Sequence, residues 1–331
     1  MAFPNWPADR ANLAFVRVGA ATGEGWRGGR VAGDVEVRAG VVPVLAAAVL
    51  WGTVGPAQLL ADAGVDPVAL GACRMLLGGA VLCAVTLRPR GLRTLWRPEV
   101  RYWLLLSVAV TAVFQAAFLQ AVERTGAAAA TAAAFGTVPV VSGLCARALA
   151  DERLDARWAA GTAVAVAGIG LLLLPGGGGT ADAVGVALAV AAGAGFGVYI
   201  AASKRLGAAG GDPAAAAPVS VFGAGLLVSP WLAAAPAGLG SPRALGLIAW
   251  LALGTTALGY LLFTSGMGRI SAATTGTLSL AEPLVAAVLG TLLLGERLGG
   301  WPGLGLVLLL GGLAVVALPV RHGGGAAAGS S

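Results

Sequence analysis
The sequence predicts an all-α polytopic membrane protein: ten transmembrane helices arranged as two inverted-topology repeats of five. Composition, the spacing of apolar runs and an internal repeat each point there. Of 331 residues, 58% are hydrophobic and 11% charged, with a mean hydropathy of +0.86. A soluble domain is about a quarter charged, so this chain has too little charge to clothe a water-facing surface. Disorder needs low hydrophobicity, and a collagen helix needs a strict glycine period that the 53 glycines lack. The formal charge of +6 falls between apolar runs and forms no stripe, so nucleic acid is not an expected partner.

At about 20 residues per spanning helix, residues 41–320 accommodate spans at 41–61, 67–87, 101–122, 126–148, 157–174, 184–204, 214–234, 243–266, 270–294 and 301–320. Trp103, Trp158, Trp231 and Trp301 sit near span ends, as an interfacial belt requires. Basic residues orient the chain. Of the 21 lysines and arginines, Arg124, Arg243 and Arg297 fall in outer connections and Arg74 in a span, if the N-terminus is cytoplasmic; the rest then lie inside. That asymmetry predicts the cytoplasmic (inner) cell membrane, with both termini in the cytoplasm. Residues 1–38 are polar, glycine-rich and arginine-bearing, without the apolar core and cleavage site of a secretory signal. They are expected to be a disordered cytoplasmic tail, or sequence upstream of a misplaced start. Residues 321–331 are expected to be a second flexible tail.

The chain repeats itself. A shift of 144 residues places Pro139 on Pro283, Glu152-Arg153-Leu154 on Glu296-Arg297-Leu298, Gly161 on Gly305 and Gly168 on Gly312. Asp66-Pro67 meets Asp212-Pro213 at a shift of 146. The repeats are read as 41–174 and 184–320. Five spans each, an odd number, forces opposite orientations, the arrangement that secondary transporters use around a midplane site.

Leu50-Trp51-Gly52-Thr53, Asp66-Pro67 leading to Arg74, the stretch 125–154 with its proline and Glu-Arg-Leu close, and its second copy at 271–298 resemble the EamA-like branch of the drug/metabolite transporter superfamily. The resemblance covers about 41–320. It implies ten helices in two inverted repeats and a central cavity lined by the first, third, fourth, sixth, eighth and ninth spans. Members similar to this chain export amino acids, drugs or other small metabolites.

Two ionisable residues stand inside spans away from their ends: Glu282 and Arg74. A charge in hydrocarbon costs a few kcal/mol and needs a partner or a wet cavity. Glu282 lies mid-span beside Pro283, whose missing N–H frees carbonyls for solute or water. A carboxyl desolvated at that depth can bind and release a proton near neutrality. It reads as part of a substrate or proton site; the alternative is a structural carboxyl bonded to a neighbouring helix. Arg74, seven residues into the second span, is within snorkelling reach of the outer surface and reads as a packing or interfacial arginine. Its alternative role is to attract an anionic group or to pair with Glu282.

Pro139 and Pro283 form a matched pair of helix interruptions, a sequence pointer to a midplane site. Thr277, with Thr131, Thr137, Thr274, Thr275 and Ser279, flanks them and reads either as cavity lining or as interhelical hydrogen bonding. Trp51, Gln115, Phe118, Tyr199 and Tyr260 are substrate-lining candidates on the implied lining spans, with Phe114 and Gln120 beside them. Gln115 and Phe118 share a helix face. Glu152 and Glu296 end their helices near arginines, on opposite sides of the membrane, and read as gating or loop-ordering groups. Gly161, Gly168 and their copies line one face each, for close packing or a homodimer contact.

Three isolated cysteines, Cys73, Cys83 and Cys145, and a single histidine, His322, leave no metal site and no catalytic triad to expect. No cofactor motif is present, and GGGG at 176–179 lacks the Lys-Ser/Thr of a phosphate loop. The expected partners are a small-molecule substrate and the bilayer. The expected function is secondary transport by alternating access, in the export direction and coupled to protons through Glu282. A passive facilitator is the runner-up. A membrane-embedded enzyme is disfavoured because the midplane offers only one carboxylate and one arginine.

Overall fold
The computed structural model describes residues 25–125, 127–150, 152–172, 182–294 and 300–317, with backbone alone for 25–37. Glu296, Arg297 and most of both tails lie outside the described residues. Every regular element among the described residues is helical. In order these are α1 Gly25–Gly52, α2 Val54–Ala61, α3 Pro67–Thr86, α4 Pro89–Leu95, α5 Pro98–Thr125, α6 Ala127–Ala150, α7 Ala156–Leu172, α8 Ala183–Ala208, α9 Pro213–Val228, α10 Pro230–Ala234, α11 Pro242–Ala249, a π-helical segment Trp250–Leu258, α12 Gly259–Met267, α13 Ala272–Leu278, α14 Ala281–Leu294 and α15 Gly300–Ala317.

Among the described residues, seven stretches are long and apolar enough to cross a membrane: Arg38–Ala61, Pro67–Thr86, Pro98–Val122, Ala183–Ala208, Pro213–Ala234, Pro242–Met267 and Ala272–Leu293. Three shorter apolar helices accompany them, Ala133–Leu149, Ala156–Leu171 and Gly303–Ala317. Residues Gly40–Leu318 fold as one unit.

The repeated Asp-Pro motif is a helix start. Asp66 accepts from the Ala69 N–H at 2.8 Å and Asp212 from the Ala214 N–H at 2.9 Å, each followed by proline in the first turn. The carboxylate satisfies an orphan donor, and proline has no N–H to orphan. Between α2 and α3 the chain reverses through Asp62 and Gly64, at φ 42° and 61°.

Side-chain contacts sort the connections into two ends of the bundle. At one end the 62–66 turn lies beside Gly238, and Arg124 Nη1 meets Asp182 Oδ2 at 3.0 Å. That hydrogen bond, with a second from the Val184 amide, holds the Asp182 carboxyl below the usual carboxylate range. At the other end the Asp212 amide donates to Thr94 Oγ1 at 2.9 Å, and Glu152 reaches Lys204. This second end carries Arg88, Arg90, Arg93, Arg97, Arg101, Arg147, Arg153, Arg157, Lys204, Arg205 and Arg269, and is called the basic end below.

Small residues set the packing. α7 runs along α15, α5 and α6 along α8, and α3 along α9. A Cβ on Gly168 would stand 2.5 Å from the Leu309 nitrogen and 2.7 Å from the Gly305 oxygen, and one on Gly312 2.5 Å from the Gly161 oxygen. The repeated glycines therefore press the fifth and last apolar helices together backbone to backbone, which dispersion favours only at this range.

Candidate functional site
A largely apolar cavity carrying a few polar groups sits in the half of the bundle away from the basic end. Its walls come from α2 (Val54, Gln58), the first half of α3 (Leu70, Gly71, Arg74, Met75) and the second half of α5 (Phe114, Gln115, Phe118, Leu119). Trp51, Phe135, Phe196, Thr255, Thr256, Tyr260 and Glu282 add to it. Space for water-sized molecules amounts to about 120 Å³, where one water needs on the order of 10–15 Å³.

The six spans implied by the resemblance all contribute. So does the second, which was not expected. Arg74 turns into the cavity instead of snorkelling, and its Nη2 donates to Gln115 Oε1 at 3.1 Å. The reason is local: Gly71, one turn earlier on the same face, has no side chain, and the Gln115 amide fills that space. Gln115 is 3% exposed, so an unbonded amide there would be costly. Across the cavity, Glu282 and Arg74 attract each other. No ion pair within 4.0 Å joins Glu282 to Arg74, so the two face one another without closing a direct bridge.

Three irregular segments meet at this site. α1 and α2 are parted at Thr53, which bonds back to the Leu50 carbonyl at 2.6 Å. The eighth apolar stretch is π-helical over Trp250–Leu258, a geometry concentrated at functional sites because it re-aims side chains. Two indoles lace these together: Trp51 Nε1 donates to the Thr255 carbonyl at 2.8 Å, and Trp250 Nε1 to Thr53 Oγ1 at 3.1 Å. α13 and α14 are parted at Ser279–Leu280, which puts Glu282 in the first turn of α14. A carboxylate there is favoured by the helix dipole, and Pro283 costs no hydrogen bond in a first turn. Bare Gly52 lets α1 reach this break, since a Cβ would come within 2.8 Å of the Glu282 carbonyl.

The matched interruption is not matched in the structure. α6 runs unbroken through Pro139, which is buried and outside the cavity wall. α13 packs against α6 there, with Gly276 facing Pro139 and Ser142, and Ser142 Oγ donates to the Pro139 carbonyl at 3.1 Å. Thr277 is likewise buried off the cavity and shares a 2.8 Å hydrogen bond with Thr162.

Trp51 forms the floor with Phe196, Tyr260 and Phe263, at ring separations of 5.9, 5.5 and 5.0 Å. Tyr199 lies behind it, stacked on Phe196 at 6.1 Å. Its buried hydroxyl has the Ser203 hydroxyl beside it but no hydrogen bond of ordinary geometry. Phe118 stacks on Phe114 at 5.6 Å along the wall.

Beyond the floor, the basic end is tied shut. Glu152 accepts from the Ala272 N–H at 3.0 and 3.2 Å, which caps α13. Lys204 Nζ stands 3.6 Å from Glu152 Oε1 and donates to the Ile270 carbonyl. Three segments that are remote in sequence, two connections and the last turns of α8, meet at that latch.

Of the residues singled out from sequence, Trp51, Gln115, Phe118, Tyr260, Glu282 and Arg74 line one cavity, whereas Pro139, Thr277 and Tyr199 support it from outside. Pro283 supports the break itself, Glu152 belongs to the latch, and Glu296 lies outside the described residues. Phe196, Gln58, Thr255 and Thr256 were not singled out. Phe196 had a signal: Phe196-Gly197 falls on Trp51-Gly52 at a shift of 145, between the two shifts of the repeat. Gln58 satisfies the reasoning applied to Gln115, an amide within an apolar span. Nothing in local sequence announces the π-helical segment that aims the two threonines.

Comparison with known proteins gives concordant matches. Residues 38–174 and 183–318 each match the EamA-like transporter family. The "Uncharacterized transporter YwfM" of Bacillus subtilis (strain 168) is 34% identical over 290 residues, covering 84% of this chain and 93% of that protein. A solved crystal structure superposes with a TM-score of 0.72 at 23% identity, over 83% of this chain and 95% of its own, a likeness of fold.

Proposed function
Because this chain belongs to the EamA-like transporter family, within the drug/metabolite transporter superfamily, we propose that its cavity is the substrate site of a secondary exporter working by alternating access. The protein is a multi-pass membrane transporter. In the proposed arrangement ten spans form two inverted repeats, 41–174 and 184–320. The basic end and both tails face the cytoplasm, as the positive-inside rule requires. The cavity is then the outward-open form, shut toward the cytoplasm by the aromatic floor and the Glu152–Lys204 latch.

One observation carries this reading: a cavity whose lining runs to Gln58 and Pro67 at the end away from the basic end, with Arg74 and Glu282 unbridged inside it. Arg74 and Gln115 are placed to hold an anionic or carbonyl group. Glu282 is placed to hold a cationic group or a proton, and Trp51, Phe118 and Tyr260 to clasp an apolar body. A small amphipathic metabolite, amino acid or drug fits such a lining. If Glu282 exchanges a proton for substrate, export draws on the proton gradient.

The test is purified protein in sealed vesicles, given a labelled panel of amino acids, amines and organic acids with and without an imposed pH gradient. Accumulation beyond equilibrium in response to the gradient is expected. Flux that never exceeds its own gradient, under any imposed ion gradient, would identify a passive facilitator instead.

The latch makes a separate prediction. Lys204→Met removes the cation that holds Glu152 and the Ile270 carbonyl together. A hydrogen bond to a charged group contributes roughly 1.5–3 kcal/mol, so the population open at the basic end should rise by about tenfold or more. Thiol labelling of a Ser203→Cys reporter, with Cys73, Cys83 and Cys145 replaced by alanine, reads this directly. Unchanged labelling would show that the latch does not gate.

A further inference from the structure
A second cavity, of about 330 Å³, opens between α3, α9 and α12 near the basic end, away from the substrate cavity. Pro218, inside α9, stands in its wall. Pro218 cannot donate to the Ala214 carbonyl four residues earlier. Thr86 Oγ1 of α3 stands 3.0 Å from that carbonyl and shares its one proton between it and the Leu82 carbonyl of its own helix at 2.8 Å. Leu82, Ala217, Pro218 and Leu261 form an apolar wall. Leu261 in this wall is 39% exposed, as expected where a helix bundle meets hydrocarbon.

The rim toward the basic end is polar and cationic. Thr86, Thr264 and Ser265 line it, and Arg269 is fixed there by its Nη1 donating to the Ser265 carbonyl at 2.7 Å. Exposed Arg88 follows two residues after Thr86, at the start of α4, with Arg90 and Arg93 beyond it. Asp212 also lines the crevice and keeps its negative charge while accepting from the Ala214 N–H, so the arginines of this end must outweigh it.

We infer that this crevice holds one anionic phospholipid of the leaflet at the basic end. The acyl chain lies along the Leu82–Pro218–Leu261 wall, and the phosphate is held by Arg269 and Arg88. An apolar slot with a cationic mouth at the depth of the headgroups matches that chemistry. A water-soluble phosphate would leave the slot unfilled, and a zwitterionic lipid would bring a cation to the arginines.

Thermal unfolding of the full chain in neutral detergent tests this independently of transport. Added phosphatidylglycerol should raise the midpoint by about 4 °C, whereas phosphatidylcholine and glycerol 3-phosphate leave it unchanged. The Arg88→Gln/Arg269→Gln double variant should lose the shift. Ala214→Phe, which keeps every charge but plugs the slot, should lose it too. An equal shift with phosphatidylcholine, an equal shift with glycerol 3-phosphate, or an undiminished shift in both variants would overturn the assignment.

Discussion

Glu282→Gln lowers substrate accumulation at least tenfold and removes its response to an imposed pH gradient, while Glu282→Asp retains part of both. The residue lies in the wall of the cavity, in the first turn of α14, and the attraction it has from Arg74 comes across open space. A charged group that contacts a substrate contributes roughly 1.5–3 kcal/mol, which corresponds to about 10–100-fold in affinity. Arg74→Gln should cost a similar factor, since it removes the donor to Gln115 and leaves Glu282 without an opposing charge. The double variant should be no worse than the poorer single one, because each change already disables the same pair. Uptake into vesicles at a fixed pH, measured for all four proteins, decides the matter. Additive losses would mean that the two residues act separately. Full activity in Glu282→Gln would remove the carboxylate from the mechanism.

Gly168→Leu prevents accumulation of folded protein, whereas Gly170→Leu, two residues away, does not. A Cβ on Gly168 meets backbone at 2.5 and 2.7 Å, and backbone cannot swing aside as a side chain can. Nothing stands within 4 Å of a Cβ on Gly170. Overpacking a well-filled interface costs about 1–3 kcal/mol; parting α7 from α15 along their length costs more. The readout is monodisperse yield after detergent extraction, with the midpoint of thermal unfolding for whatever survives. Equal yields for the two variants would show that the glycine face does not govern assembly.

The site was legible unevenly, for physical reasons. Glu282 was visible because hydrocarbon makes any mid-span carboxylate expensive, and Gln115 because an amide in lipid must find a partner. Arg74 was misplaced because its depth alone permits snorkelling; only the missing side chain at Gly71 and the incoming Gln115 turn it inward. Pro139 and Pro283 are indistinguishable as prolines in apolar spans. They differ because α13 packs across Pro139 and keeps α6 continuous, while the chain before Pro283 breaks at Ser279–Leu280. The π-helical turns of Trp250–Leu258 leave no compositional trace, since their register is held by indole bonds from residues about 200 positions away in the chain.

The amino-acid sequence by itself determined that this is a helical membrane transporter built of two related halves. Those properties follow from local transfer energies and from self-similarity, and both can be read one segment at a time. Only the tertiary structure decided which side chains share the cavity, where helices break, and that Lys204, Glu152 and the start of α13 close one end. Those are pairings between segments 41 to 204 residues apart. In a bundle whose helices are apolar on nearly every face, hydropathy cannot say which face meets which. Close packing at glycines, and the need of each buried polar group for a partner, make that choice.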